Sequence, residues 1–375
     1  MRKVCLFISS MHKAGAERVM LLIAKELVRR GKEVTLVTQW DDRGKPDAFA
    51  VPDTIRRRFS ELTEKELTGS RIVNFIRRYR KLRKIWKEEK PDLILSFIGK
   101  NNVMAVQTGA RLHIPVVAAV RGDPSLEYTD TRLKKAAFGV YPKAAGIVLQ
   151  TQDGRLFFPE RIRKKSVILP NPIDPSFCLP PYEGAREKTI IAVGRIDENK
   201  NQRMLMDAFA ALSERFPEHR LLLVGTGPAE KELAAYAKTL PCGDRISFPG
   251  NLDDIASAIR PASLFVLTSD TEGMPNALLE AMALGIPVIS TDCPCGGPRQ
   301  LIRDGENGLL VPVRDTNALA AAMERILSDP AAAEKMGTAA RSVQETYAPD
   351  KALAAWAEYL ESVWETWESR ERRVS

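Results

Sequence analysis

The 375 residues carry 56 Lys+Arg against 48 Asp+Glu, a net charge of +8, and 44% of them are hydrophobic. That length exceeds one ordinary domain and suits two, each with its own core. No apolar run approaches the roughly 20 residues that cross a bilayer. The opening Met1-Arg2-Lys3-Val4-Cys5-Leu6-Phe7-Ile8 has too short a core and no cleavage site for a secretory signal, so the expected location is the cytoplasm.

The charge is unevenly spread. Residues 1–185 hold 35 Lys+Arg against 20 Asp+Glu, and the remainder holds 21 against 28. The basic half calls for an anionic partner, and nucleic acid, an acidic membrane surface or a phosphorylated substrate would each meet that demand. The five cysteines, Cys5, Cys178, Cys242, Cys293 and Cys295, are odd in number. Only the last two are close, spaced too tightly for a zinc knuckle and without a second pair, so all read as reduced thiols and no metal is expected.

In chain order, short β-branched runs alternate with helical patterns, the signature of parallel sheets covered on both faces. The first winding has strands at Val4–Ser9, Val34–Thr38, Leu93–Phe97, Val116–Val120 and Ile147–Gln150. A helix from Glu17 to Arg29 stops at Gly31, which takes a left-handed cap at low cost. A second helix, from Ser70 to Trp86, sets Ile72, Phe75, Ile76, Tyr79, Leu82 and Trp86 on one face and many cations on the other. Its apolar face belongs either in the first domain's core or on an anionic membrane.

Prolines 170, 172, 175, 180 and 181 deny the backbone a continuing element, and the hinge is expected there. A second winding follows, with strands at Thr189–Gly194, Leu221–Val224, Ile246–Phe248, Leu264–Thr268, Val288–Ser290 and Leu309–Val311. The predicted domains are therefore 1–180 and 186–350. Beyond Tyr347 an amphipathic helix over about 352–375 carries Trp356, Tyr359, Leu360, Val363, Trp364 and Trp367, a stripe expected to pack back on the first domain.

Loops after parallel strands face the ligand crevice. The first of interest, Gly194-Arg195-Ile196-Asp197-Glu198-Asn199-Lys200-Asn201, sets Arg195 as a planar fork and Lys200 as a point charge, either clamping a diphosphate or standing as solvated cations. In Gly225-Thr226-Gly227-Pro228 the glycines permit close backbone approach or only a tight turn. Glu230 stands where a dinucleotide fingerprint would have its third glycine, which weakens a nicotinamide reading. The third loop, Ser269-Asp270-Thr271-Glu272-Gly273-Met274-Pro275-Asn276, leads into a helix with Pro275 at its first position and Gly285 at its end. The free amides of that helix start favour a phosphate. Glu280 shares a helix face with Asn276 and can accept from two adjacent ribose hydroxyls, and Glu272 can meet the sugar beyond the phosphates; the alternative leaves Glu272 solvated and Glu280 in a surface ion pair.

With Asp304-Gly305-Glu306-Asn307-Gly308-Leu309-Leu310-Val311 added, these motifs make nearly the whole chain resemble glycosyltransferase family 4, the retaining, metal-independent branch of the GT-B architecture. The resemblance implies two doubly wound Rossmann-like domains facing across a cleft, the first binding the acceptor and the second a nucleotide diphosphate sugar. It implies that Arg195 and Lys200 hold the diphosphate, Glu280 the ribose and Glu272 a hydroxyl of the transferred sugar. The donor site would also include Gly194, Gly225, Gly227, Gly273, Met274, Pro275 and Asn276, and no cofactor beyond the donor is expected. Segments Cys293-Pro294-Cys295-Gly296-Gly297-Pro298 and Arg121-Gly122-Asp123-Pro124 look like those of enzymes assembling bacterial surface polysaccharides or lipid-linked oligosaccharides.

Two departures stand out. Where the family pattern has two adjacent glycines after the first strand, Met11-His12-Lys13-Ala14-Gly15-Ala16 has Ala14 then Gly15, and Gly15 and Ala16 are expected beside the phosphates. Where many relatives have a histidine, this chain offers Asp123, which either orients the acceptor hydroxyl or donor sugar or merely forms a turn. His113 and His219 read as structural or surface residues.

The implied activity is transfer of a hexose or N-acetylhexosamine from a UDP-linked donor to a lipid-linked saccharide. The enzyme would stay in the cytoplasm or on the inner face of the plasma membrane, with no nucleic-acid partner. Two rivals are a sugar-nucleotide epimerase of the same architecture and a non-enzymatic protein binding anionic surfaces. The pair Glu272 and Glu280 argues against the second, since such binding has no use for carboxylates in a phosphate crevice.

Overall fold

The computed structural model describes residues 1–11, 15–39 and 49–374. They divide into two units, Met1–Pro172 with Asp350–Ser375, and Ile173–Pro349.

The first unit holds β1 (Lys3–Ile8), β2 (Glu33–Thr38), β3 (Arg56–Phe59), β4 (Leu93–Phe97), β5 (Val116–Ala119), β6 (Gly146–Leu149) and β7 (Ser166–Ile168). All pair in parallel, in the order β3-β2-β1-β4-β5-β6-β7. β1, β2, β4, β5 and β6 fall where the alternating apolar runs predict them. β3 escapes that pattern because it reads Arg-Arg-Arg-Phe. It is an edge strand, and Arg56 and Arg58 are paired with Glu89 at the end of a neighbouring helix. Cations blunt such an edge against further pairing. β7, at three residues, is too short for periodicity to register.

Helix Gly15–Arg29 lays Val19, Met20, Ile23 and Leu27 on the core, and the chain leaves it through Gly31 at φ 78°. Helix Arg71–Glu89 begins under the Ser70 hydroxyl, which accepts from Val73 N, and ends at Lys90 in the left-handed region, φ 49°. Only its second half reaches the core. Leu82, Ile85 and Trp86 are buried, with the Trp86 ring edge-on to Phe7 at 6.1 Å and its indole N–H bonded to Thr108 Oγ1 at 3.0 Å. The apolar face predicted as continuous from Ile72 to Trp86 is thus divided, and Ile72, Phe75 and Ile76 are exposed.

The carboxyl-terminal helix, Pro349–Val374, belongs to the first unit. Trp356 and Leu360 are fully buried among Val4, Leu6 and Phe97, with Tyr359 and Trp364 packed at the margin. The Trp356 ring lies 5.9 Å from that of Phe97, and its N–H donates to Pro170 O at 2.9 Å. Gly146 admits this helix: a Cβ there would stand 2.4 Å from the Tyr359 hydroxyl.

The second unit holds β8 (Glu187–Val193), β9 (Arg220–Val224), β10 (Ile246–Gly250), β11 (Ala262–Leu267), β12 (Val288–Thr291) and β13 (Leu309–Val311). They too are all parallel, in the order β10-β9-β8-β11-β12-β13. The chain enters this unit between Pro172 and Ile173, so Ile173 and Phe177 lie in its core beside Phe265 and Leu278. In both sheets the strand order reverses between the first and fourth strands, and ligands of such folds bind outside the carboxyl ends at that point. Among the described residues, no helix is long and apolar enough to cross a membrane.

Candidate active site

In the second unit the reversal lies between β8 and β11, and the loops that follow these two strands are sewn together. Asn199 is the main fastening. Its carbonyl accepts from Asp270 N at 2.7 Å, its amide donates to Thr271 O at 3.1 Å, and its Oδ1 accepts from the Thr271 hydroxyl at 2.9 Å. Thr268 Oγ1 donates to Lys200 O at 2.8 Å, and Asn201 Nδ2 to Asp270 Oδ1 at 3.2 Å. Arg314 holds Asp270 through Nε at 3.0 Å and Nη2 at 2.7 Å.

This sewing brings Lys200 against Glu272, and the two form an ion pair in which both side chains are largely covered. Ser269 Oγ donates to the same Glu272 oxygen at 2.7 Å, and Ser269 O accepts from the Thr291 hydroxyl at 2.6 Å, which ties the loop to β12. Arg195 behaves differently. Its side chain is 73% exposed and pairs with Asp197, whose other oxygen accepts from Lys200 N at 3.0 Å. Both cations predicted to hold a diphosphate therefore sit in one loop, each already beside a carboxylate.

Gly225 and Gly227 serve backbone packing. A Cβ on Gly225, φ 132°, would fall 2.0 Å from Gly194 O, and one on Gly227 would fall 2.1 Å from Ile196 O. The Arg195 loop thus lies directly on the turn after β9, fixed by Gly194 N to Val224 O and Ile196 N to Thr226 O, both 3.0 Å. Their first duty is to set the height of the Arg195 loop.

The helix after the third loop runs Asn276–Ala283. Pro275 caps it from outside with φ −77° and ψ 105°, a correction to its predicted place as the first helical residue. Its ring and extended ψ still end the loop there, because proline supplies no amide to the preceding turn. The helical ladder begins with Leu279 N on Pro275 O at 3.1 Å, and Gly285 follows the helix at φ 74°. Glu280 is only 5% exposed, on a helix whose Leu278, Leu279 and Met282 are core residues. A carboxylate is rarely so deep without a purpose. Met274 is also buried, and Gly273 O touches the start of helix Gly297–Leu301, where a Cβ on Gly297 would lie 1.5 Å from it.

In the first unit, Gly15 and Ala16 open helix Gly15–Arg29 after β1, while His12, Lys13 and Ala14 lie outside the described residues. Asn101, after β4, donates to Ser9 Oγ at 3.0 Å across the reversal point of this sheet. Asp123 follows β5 and caps helix Pro124–Glu127, accepting from Ser125 N at 2.8 Å, which is the turn-forming role. It is 8% exposed, and its second oxygen is buried with no hydrogen-bond partner among the described residues.

Two neighbours escaped the sequence reading. Arg121 stacks its guanidinium over Phe97 at 4.5 Å and pairs with Asn171 Oδ1, and burial pushes it down to about 9. Glu127 accepts from the amides of Gly99, Arg121 and Gly122, yet burial outweighs these bonds and pushes its carboxyl up to about 7. Their only sequence signal is adjacency to Asp123. His113 is exposed near Glu371, and His219 is half-buried, its imidazole held below the usual range by burial and by the charges of Lys188 and Arg245.

Chemically, cations and helix amides at a parallel sheet's carboxyl edge suit a diphosphate. A buried helical carboxylate suits paired hydroxyls, because it accepts two hydrogen bonds at once.

Two family models match the chain in succession, Glycosyltransferase Family 4 over residues 14–177 and Glycosyl transferases group 1 over residues 182–343. An uncharacterized glycosyltransferase of Haemophilus influenzae is 25% identical over 95% of this chain and 99% of its own length. A Campylobacter jejuni enzyme described as GalNAc-alpha-(1->4)-GalNAc-alpha-(1->3)-diNAcBac-PP-undecaprenol alpha-1,4-N-acetyl-D-galactosaminyltransferase is 25% identical over 88% of this chain and 90% of its own. Among solved structures, Anabaena HepE in complex with UDP superposes with a TM-score of 0.80 at 19% identity, over 96% of this chain and all of that one. With one model over each unit and relatives aligned nearly end to end, the chain belongs to the family 4 glycosyltransferases, and its two parallel-sheet units are the Rossmann-like halves of the GT-B fold.

Proposed function

We propose that the chain transfers a hexose or N-acetylhexosamine, with retention of configuration and without a metal, from a UDP-linked donor to a saccharide acceptor carried on a lipid. The observation that carries this reading is the knot of loops at the reversal point of the second sheet. It gathers Arg195, Lys200, Glu272 and the start of helix Asn276–Ala283 at one edge, with Glu280 four residues into that helix. The choice of UDP follows the nucleotide held by HepE, and the lipid-borne acceptor follows the Campylobacter jejuni relative's undecaprenol-linked substrate.

In the proposed reaction the bond between the anomeric carbon and the phosphate oxygen breaks. The acceptor oxygen attacks from the face the diphosphate is leaving, and its proton passes to that departing phosphate. Negative charge grows on the leaving diphosphate, where Lys200 and Arg195 stabilise it more than they stabilise the bound donor. Glu272, released from Lys200 by the diphosphate, is then free to accept from a hydroxyl of the transferred sugar. Glu280 holds the ribose. Gly15 and Ala16, at the start of their helix, contribute amides toward phosphate, and the open oxygen of Asp123 orients the acceptor or the donor sugar.

Titration with UDP, GDP and ADP in the presence of EDTA tests the donor half, with UDP expected to bind most tightly. Turnover of UDP-sugars on polyprenyl-diphosphate saccharides, read by NMR of the new anomeric centre, tests the rest. An inverted product, loss of turnover in EDTA, or conversion of the donor to its epimer without acceptor would each overturn the assignment.

A further inference from the structure

The first turns of helix Arg71–Glu89 carry a surface for which the transfer reaction has no use. Ile72, Val73, Phe75 and Ile76 are exposed, Ile72 to 73%, on a helix whose later apolar residues Leu82, Ile85 and Trp86 are buried. The segment before it is strapped to the same end. Asn74 Nδ2 donates to Thr68 O at 2.7 Å and its Oδ1 accepts from Thr68 N at 2.9 Å, which keeps exposed Leu67 beside these turns. One exposed apolar side chain needs no account, but five large ones at one place mark an interaction surface.

What covers the surface is indicated by what continues it. On a helix, residues four apart fall in line, so the row Ile72, Ile76, Arg80, Lys84 passes from apolar to cationic along one exposed side, with Lys87 flanking its end. At 1.5 Å per residue this row spans about 18 Å. The helix carries eight Lys or Arg and only two acids, Glu88 and Glu89, both in its last turn and both paired with Arg58. Glu88 closes the outward row beyond Lys84 and pairs with it at 3.8 Å, so the row is free of acid from Ile72 through Lys84. An apolar tip followed by an excess of cations is the order that suits a bilayer, where hydrocarbon lies below a layer of phosphates, and the two attractions together give firm attachment where either alone is weak.

We propose that this helix docks the protein on an anionic phospholipid bilayer, with Ile72, Val73, Phe75 and Ile76 entering the interfacial layer and Arg80, Lys84 and Lys87 meeting lipid phosphates. The inference goes beyond the transfer reaction and draws nothing from the proposed donor site, so either can fail without the other.

Co-sedimentation of the full-length protein with sucrose-loaded vesicles tests it. Binding is expected to phosphatidylcholine vesicles that contain phosphatidylglycerol and not to phosphatidylcholine alone, and it should weaken as salt is raised. Ile72→Gln with Ile76→Gln, and separately Arg80→Gln with Lys84→Gln, should each weaken binding by about tenfold or more. Melting temperature should stay at the parent value, since all four side chains are on the surface. Absence of binding to anionic vesicles, or binding unaltered in both variants, would overturn the proposal. So would a parent that ignores vesicles but self-associates in solution until Ile72 and Ile76 are replaced, which would assign the patch to a second copy of the chain.

Discussion

Gly297→Ala separates crowding from backbone strain at the proposed donor site. Gly297 has no left-handed φ to defend, so the backbone itself accepts alanine. The obstacle is space: the new Cβ would stand 1.5 Å from Gly273 O, 2.7 Å from Gly273 C and 3.1 Å from Pro275 Cδ. Restoring an ordinary contact requires the Gly273 peptide to retreat by about 2 Å. Overpacking of this kind costs about 1–3 kcal/mol, which in a unit of this size lowers the melting temperature by about 2–12 °C. The moved peptide joins Glu272 to Met274, so function should suffer more than stability, and a displacement of about 1 Å near a reacting centre can cost 100-fold in rate. Scanning fluorimetry and titration with UDP give the two readouts. Gly139→Ala serves as the control, because a Cβ there meets nothing within 4 Å. A Gly297→Ala protein with parent-like melting and parent-like UDP affinity would refute the claim that this contact sets the position of the Glu272 loop.

Glu280→Ala should weaken UDP by at least tenfold, since a hydrogen bond to a charged group contributes about 1.5–3 kcal/mol, and unchanged affinity by calorimetry would remove Glu280 from the ribose role. Trp356→Ala opens the first unit's core and loses the bond to Pro170 O. It should destabilise that unit by about 3–5 kcal/mol, seen in denaturant titration as an earlier first transition, and a single unshifted transition would count against it. Glu127 predicts a pH effect. Its carboxyl is raised from 4.5 to about 7, so between those values the folded chain keeps a proton that the unfolded chain has released, and stability falls as pH rises through that window. The melting temperature of Glu127→Gln relative to the parent should therefore climb across the window and level off above it. A pH-independent difference would show that Glu127 is not the titrating group.

The two windings were legible because β-branched apolar runs are forced on strands buried on both faces. β3 was not, because an exposed edge rewards cations and erases the alternation. The helix from Arg71 shows a subtler limit. Its period correctly gives one apolar face from Ile72 to Trp86, but periodicity cannot report that the first unit's core ends near Leu82. At the proposed donor edge, Arg195, Lys200, Glu272 and Glu280 could be named from their places after strands. Their surroundings could not, since Asn199 meets Thr271 and Lys200 meets Glu272 across 72 residues of chain. Nothing local in Gly225 told close ligand approach from contact with Gly194 O, and only the fold decides between them.

The path of the chain also orders its synthesis. Residues 173–349 are continuous and include every strand of their own sheet, whereas the sheet around Val4, Leu6 and Phe97 needs Trp356 and Leu360 to close its core. Domains fold as units while the chain emerges amino end first. The half translated later can thus finish first, while the half translated earlier waits, one face uncovered, until helix Pro349–Val374 has been made.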